Sequence, residues 1–382
     1  MISNRIGIGS LIQLAAKGPQ EQILYDNTTQ FIEKPKRHTS FGFEEVCVDP
    51  IKPETFGNKI TFIVPPDAHL VSNLWIQLKL PKLIGTLSTD VQYYNNNTML
   101  KSFNKIEIYI GKYLIQTYTP EYFSKKVIKE SKRYGWNEMI AFYNTDAGNE
   151  ANNNGGYLYL PLRFINEQYF PLKYLDQKSN QLKVEIFTNP LSTIMQLTEG
   201  STGYLARFNE GLPLEYNAQI VVTNTYLDQF ENSKFFNSRH DIVFEQIEYQ
   251  NEKVSDTSIM IDLEFRHVVK DFIVYFDIAT TINKVTEIFL ILDGVKNELN
   301  VGHLQFVQQE HLLDHVDDSK LYYAFTFKPQ DSEVVYGVNM DKMMTKRISI
   351  KFQESVTDEI HIFSTCLNQL VVEDGHCRLK YM

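Results

Sequence analysis

Residues Phe31 to Phe43 read FIEKPKRHTSFGF. Lys34, Lys36, Arg37 and His38 stand between two apolar anchors, and Pro35 fixes φ and removes a backbone donor, so no helix is expected there. From Thr39 the residues alternate, which puts Phe41 and Phe43 on one face of an extended run. By itself the block reads as a basic lead-in to the first strand of a β-rich domain.

On its N-terminal side, residues 1–30 read as an arm. Gly7, Gly9 and Gly18-Pro19 break it into short pieces, and Leu11, Ile12, Leu14, Ile23 and Leu24 are available to dock on a neighbour. On its C-terminal side the pattern is β. Asn58–Val64 and Val71–Leu80 read as strands stopped by prolines; in the second, Leu74, Ile76, Leu78 and Leu80 face one way and Trp75, Gln77 and Lys79 the other. Ser102–Ile110 and Tyr113–Tyr118 flank Gly111-Lys112 as a hairpin. Pro120–Tyr143 is the main helical insertion, with Thr119 as its cap and Pro120 at its first position. Strands resume at 157–164, 181–188 and 214–225, with 189–213 as a long Gly-, Ser- and Thr-rich excursion. Residues 226–239 connect two domains, with a short helix after Asp228.

The second half repeats the order. Residues 259–265 correspond to 58–64, 269–276 to 74–80, 286–292 to the 106–112 hairpin strand, 322–327 to 157–164, and 346–352 to 181–187; 360–365 and 369–372 close the series. The offset falls from 200 (Ile63 to Leu263) through 181 (Ile108 to Phe289) to 165 (Val184 to Ser349). Order is kept while loops shorten, the mark of a duplicated domain rather than of a short-period solenoid. Short strands at regular spacing, twice over, imply two sandwiches or jelly rolls in tandem.

Composition bounds the function. The 382 residues are 43% hydrophobic and 13% aromatic, with 25 Phe and 22 Tyr, enough for two sizeable cores. A net charge of −10 argues against a broad nucleic-acid-binding face. Cys47, Cys366 and Cys377 make neither a disulfide scaffold nor a zinc site. No nucleophile elbow, P-loop, zincin or dinucleotide motif occurs, so neither catalytic residues nor cofactors are assigned and the chain is not expected to be an enzyme. His303, His311 and His315 lie among acidic residues, a pattern read as a polar surface loop. His38 and His267 are read as structural. A carbohydrate-binding β-sandwich is the rival from another class; a cupin-like enzyme would need a His/Glu cluster on its strands.

Phe31-x-x-x-Pro35-Lys36-Arg37-His38-Thr39-x-Phe41 resembles the N-terminal signature of the major capsid proteins of nucleocytoplasmic large DNA viruses, although Pro35 stands where that family more often has tyrosine. Further stretches are similar in the same order: Phe56–Thr61, Asp67–Pro81, Ile106–Ile115, Leu158–Phe164, Phe170–Leu172, and Glu264–Asp271, where Val268 replaces the usual proline. Residues 147–153 and 191–211 depart from the pattern, and loops such as 295–319 are short for the family.

The resemblance implies an all-β double jelly roll, two tandem eight-stranded antiparallel jelly rolls with a short helical insertion in the first: an arm (1–30), jelly roll 1 (31–225), a connection (226–239) and jelly roll 2 (240–382). It implies a structural protein of the virion, assembled in the host cytoplasm. Homotrimers would form pseudo-hexagonal capsomers tiling an icosahedral shell. The implied partners are neighbouring capsomers, minor capsid or penton proteins and an underlying viral membrane, with no direct nucleic-acid binding. A scaffold or minor capsid role on the same fold is the alternative. Phe31, Lys34, Lys36, Arg37, His38, Thr39 and Phe41 are the candidate assembly-contact residues.

Overall fold

The computed structural model describes residues 39–80, 92–94, 97–123, 156–162, 165, 169–197, 215–236, 238–296, 300–304, 322–327 and 337–381, and nearly all of its regular structure is antiparallel β. By their contacts Phe41–Met382 form one unit and Met1–Ser40 another. The first half of the larger unit contributes β1 (Phe41–Val48), β2 (Lys59–Val64), β3 (Leu70–Leu80), β4 (Gln92–Tyr94), the one-turn helix α1 (Thr98–Lys101), β5 (Phe103–Ile110), β6 (Tyr113–Tyr118), β7 (Gly156–Leu162), β8 (Leu182–Thr188), β9 (Met195–Leu197) and β10 (Ala218–Leu227). Two four-stranded sheets result, ordered β1-β10-β3-β7 and β2-β8-β5-β6, with β4 and β9 as a separate ribbon. Apart from the β5–β6 hairpin and the β4–β9 ribbon, successive strands alternate between the facing sheets, which is jelly-roll connectivity.

Alternation in sequence becomes alternation in burial. Along β3, Leu74, Ile76, Leu78 and Leu80 are buried between the sheets while Lys79 is exposed and Trp75 and Gln77 are half-buried on the outer face. At the β5–β6 turn Gly111 has φ +57°, and a Cβ there would lie 2.3 Å from the Ser179 carbonyl oxygen, so only glycine fits. The expected helix after Thr119 begins as read, with the Tyr122 amide donating to Thr119 Oγ1 at 3.4 Å; beyond residue 123 it lies outside the described residues. The excursion at 189–213 contains an element the sequence reading did not assign. Residues 195–197 pair with 92–94, two three-residue strands too short to show a period.

The second half follows the helix α2 (Gln229–Phe236), capped by Asp228, whose Oδ1 accepts from the Glu231 amide at 2.7 Å. It comprises β11 (His240–Asp262), β12 (Val268–Phe276), β13 (Val285–Leu292), β14 (Val295–Lys296), β15 (Tyr323–Thr326), β16 (Val338–Asn339), β17 (Lys346–Glu373) and β18 (His376–Leu379). Here the structure differs in form from the sequence expectation. The runs 346–352, 360–365 and 369–372 are one 28-residue strand, and of the run at 259–265 only residues 259–262 are strand, as the end of a 23-residue one. The strand order explains this. The N-terminal part of β11 pairs with the C-terminal part of β17 (His240 with Val372, to Asp256 with Val356), and after a bulge Ser258–Asp262 pair with Lys351–Arg347. β12 lies on the far part of β17 and β13 on the near part. These are the same two four-stranded layers as in the first half, β11-β17-β12-β15 and β11-β17-β13-β14. The β1–β2 and β8–β10 loops of the first half have shrunk to a bulge. Residues 240–258 escaped the reading because they are rich in Glu, Gln, Asn and Lys and largely exposed or half-buried; pairing, not propensity, makes them a strand.

One core cluster spans both halves, and the second half has a further core of its own. Strand β12 is buried on both faces: Phe272, Val274 and Phe276 enter the second half's own core, while Ile273 and Tyr275 join a core that includes the first half. Phe363 on β17 sits at the centre of that junction, with ring centroids of Tyr249 at 4.8 Å, Tyr275 at 6.0 Å and Tyr122 of the first half at 6.2 Å. Hydrogen bonds seal its margin. The Ile247 amide donates to Gln116 Oε1 at 3.0 Å and the Asp176 amide to the Gly375 carbonyl at 2.7 Å. Removing the Phe363 ring (Phe363→Ala) should lower unfolding stability by about 3–5 kcal/mol through lost burial and the cavity left behind. Phe43→Ala, at an exposed strand position, should stay within about 0.5 kcal/mol. Denaturant midpoints of the two variants measure both.

Candidate assembly surface

The two outer faces of the first jelly roll differ in chemistry. On the β2-β8-β5-β6 sheet, Glu107 and Glu185 are cross-strand partners, both buried beneath longer side chains. Lys105 Nζ lies 2.6 Å from Glu107, Lys183 Nζ 2.8 Å and Lys59 Nζ 3.3 Å from Glu185. Tyr109 donates to Glu107 at 2.8 Å, and its phenol is pushed up to about 12, first by burial and then by that carboxylate. Lys105 and Lys183 also cover the rings of Phe187 and Tyr109 at 4.4 and 4.6 Å. This face satisfies its own charges.

The β1-β10-β3-β7 sheet presents the opposite surface. Cys47 pairs with Val221, Val221 with Trp75, and Trp75 with Pro161, so one apolar row runs straight across four strands. Cys47 is exposed and the other three are half-buried. Phe41 and Phe43 project from β1 on the same side as Cys47, 48% and 56% exposed, with ring centroids 5.1 Å apart in an edge-to-face pair. The next row, Gln219–Gln77–Tyr159, is polar. This apolar row lies on the outside of a sheet that already has a full core behind it.

Of the sequence-predicted contact residues, Phe31, Lys34, Lys36, Arg37 and His38 lie outside the described residues. Thr39 is half-buried in the lead-in to β1, and Phe41 opens that strand. The row Cys47, Val221, Trp75 and Pro161 was not singled out from sequence, although a tryptophan on the polar side of an alternating strand was its visible signal. His267 is a turn residue with φ +62°; its backbone amide donates to Asp341 at 3.1 Å and its carbonyl accepts from the Met340 amide at 2.7 Å. His311 and His315 are outside the described residues, and among those described no group of His, Cys, Asp and Glu is placed to hold a metal ion.

Residues 29–228 match the family described as the major capsid protein N-terminus. The chain is 22% identical over 310 residues to the major capsid protein of Pyramimonas orientalis virus, an alignment covering 79% of this chain and 72% of the relative. Among solved structures, VP54 of PBCV-1 superposes with a TM-score of 0.74 at 17% identity, over 93% of this chain and 100% of VP54. The Faustovirus major capsid protein does so with a TM-score of 0.64 at 10% identity, over 96% and 97%. At such identities the superpositions establish a shared fold.

The charged face supplies a pH test. Burial opposes ionisation of Glu185, but hydrogen bonds from Lys183 and Lys59 outweigh it and hold the carboxyl below its ordinary value. A group so depressed stabilises the fold above its unfolded pKa, and that contribution disappears as pH falls through the folded value. Glu185→Gln should therefore lower the thermal midpoint at neutral pH, and its gap to wild type should narrow as pH falls below the unfolded carboxyl value of about 4.3 towards the lower folded one.

Proposed function

The chain belongs to the major capsid protein family, and from that premise we propose that it trimerises into pseudo-hexagonal capsomers that tile an icosahedral virion shell. One observation carries this reading: two jelly rolls of the same strand order share a core within one chain. Three such chains around an axis offer six comparable units, which is what a hexagonal tile needs, while only three identical junctions between chains have to form. The natural division is jelly roll 1 over 31–225, the connection over 226–239 and jelly roll 2 from 240.

The basic block is the chain's contact with its surroundings in the shell. Lys34, Lys36, Arg37 and His38 beside Phe31, Thr39 and Phe41 combine charge with aromatic anchors, the mixture that docking segments use at interface margins. Its partners are neighbouring capsomers, minor capsid or penton proteins and the membrane beneath the shell. The protein acts as a wall component without catalysis, and particles assemble in the host cytoplasm.

Light scattering on the purified protein tests the trimer. A mass of three chains, stable on dilution, is expected; a monomer at every concentration would overturn the capsomer reading and favour a scaffold role on the same fold. Arg37→Glu tests the basic block: the copy number of the protein in purified particles should fall about tenfold, as for loss of a charge-assisted contact, with the thermal midpoint unchanged.

A further inference from the structure

The duplicated plan puts a histidine at the same place in both halves. The core-facing residues Leu74, Ile76 and Leu78 of β3 correspond to Phe272, Val274 and Phe276 of β12. The same alignment sets His69 on His267, and each directly precedes its strand. Their surroundings are opposite. His267 is buried, and its Nδ1 lies 3.5 Å from Asp341 Oδ2 with no hydrogen-bond partner of its own among the described residues. A proton on that ring faces a carboxylate. His69 is half-buried and its Nδ1 is already in use: the Leu227 amide, at the end of β10, donates to it at 2.9 Å.

That bond fixes the state of the His69 ring. A neutral imidazole accepts at one nitrogen and carries its proton on the other, so the proton here is on Nε2. A second proton can go only to Nδ1, where it turns the acceptor into a donor pointing at another N–H, and the bond is lost. The surroundings oppose that charge. Burial and then Lys173, on the short helical turn before β8, hold the imidazole below the ordinary histidine value of about 6.5. The carboxylates of the neighbouring elements are engaged elsewhere. Glu44 on β1 accepts from the Tyr226 phenol at 2.9 Å, and Asp228 accepts from the Glu231 amide at 2.7 Å. Asp67 is exposed and acts on Tyr226. The rings of Tyr174 and Tyr226 pack on His69 with centroids 6.4 and 6.2 Å away. Both phenols are held above their ordinary value, Tyr174 by burial and Tyr226 first by its bond to Glu44, so neither titrates with the histidine.

What the bond holds is the way out of the first jelly roll. Leu227 ends β10, and the next residue, Asp228, caps α2. Tyr174, stacked on His69, donates to Asn232 Oδ1 of α2, and its ring centroid lies 6.1 Å from that of Phe236. We propose that His69 is an acid-sensitive latch on the connection between the jelly rolls: when its Nδ1 takes a proton, the Leu227 amide is released, and the end of β10 loosens together with α2. The folded chain excludes a proton that the unfolded chain accepts. The latch is therefore fully closed above the unfolded histidine value of about 6.5 and opens as pH falls through the lower folded one. The duplicate position does not answer in the same way, because a proton on His267 is drawn to Asp341 and releases no backbone amide. Mild acid thus acts on one member of the pair. All the groups of the latch belong to one chain, so the inference does not rest on the trimer reading.

Hydrogen exchange of the full chain, read by mass spectrometry over residues 226–236 and corrected for the intrinsic rate at each pH, tests the latch. In the wild type the protection of this segment should fall by about tenfold between about pH 7.5 and about pH 5. His69→Asn keeps an acceptor, Oδ1, where Nδ1 stood but takes up no proton, so its protection should stay level over the same range. Lys173→Gln, at an exposed position, removes the cation beside the ring, and the loss should begin at a higher pH than in wild type. A histidine that merely fills space would give none of these pH profiles. Level protection in the wild type, or a loss in His69→Asn that runs in step with wild type, would overturn the latch. Should His69→Asn be unprotected at every pH, Lys173→Gln decides: a midpoint moved upwards supports the latch, and an unmoved one sinks it.

Discussion

Where β12 pairs with β17, over residues 360–367, the sheet is buried on both faces, and the rest of the molecule is arranged around that constraint. A β-sheet of a sandwich normally packs one face and wets the other. Here Ile273, Tyr275 and Phe363 point away from their own sandwich, and they must be covered because several large apolar side chains exposed together would be costly in water. The first jelly roll is the cover. Its edge strand β6, the loop before β8 and the ring of Tyr122 are held against a sheet that belongs to another domain. The two halves are accordingly one cooperative body, and loss of the Phe363 ring is felt on both sides.

The duplicated plan also sorts the remaining surfaces. Charges on the β2-β8-β5-β6 face are paired with one another, Lys105 with Glu107 and Lys183 and Lys59 with Glu185, so that face keeps its charges satisfied in water. The facing sheet of the same jelly roll carries Trp75, Val221 and Pro161 in line where an outer face would ordinarily be polar. Similar backbones with different side chains give one wall of paired charges and one that carries an apolar row.

Much of the fold was legible in the sequence because strand alternation is local. The β3 residues Leu74 to Leu80 declare their two faces by period alone, Gly111 marks its turn, and the halves are recognisable by order despite shrinking loops. What escaped was set by distant partners. Residues 240–258 are a strand only because β17 supplies a partner throughout, and 195–197 only because 92–94 lie alongside. The apolar row was hidden for the same reason: Cys47, Trp75, Pro161 and Val221 are scattered along the sequence, and only the cross-strand register brings them into line. The basic block was the most distinctive stretch to read.

The fusion of four strands into two has a consequence for the order in which the protein is made. On the ribosome, β11 emerges about a hundred residues before any part of β17, and among the described strands β17 is the one partner β11 has. The second jelly roll therefore cannot close while it is being synthesised; it waits as an open edge until the chain has passed residue 346. The first jelly roll has every strand in hand by residue 227 and is ready as a template. Synthesis and folding run in the same direction, and the late strand is also the one that locks the halves together, so an incomplete chain has no finished junction with which to imitate a complete one.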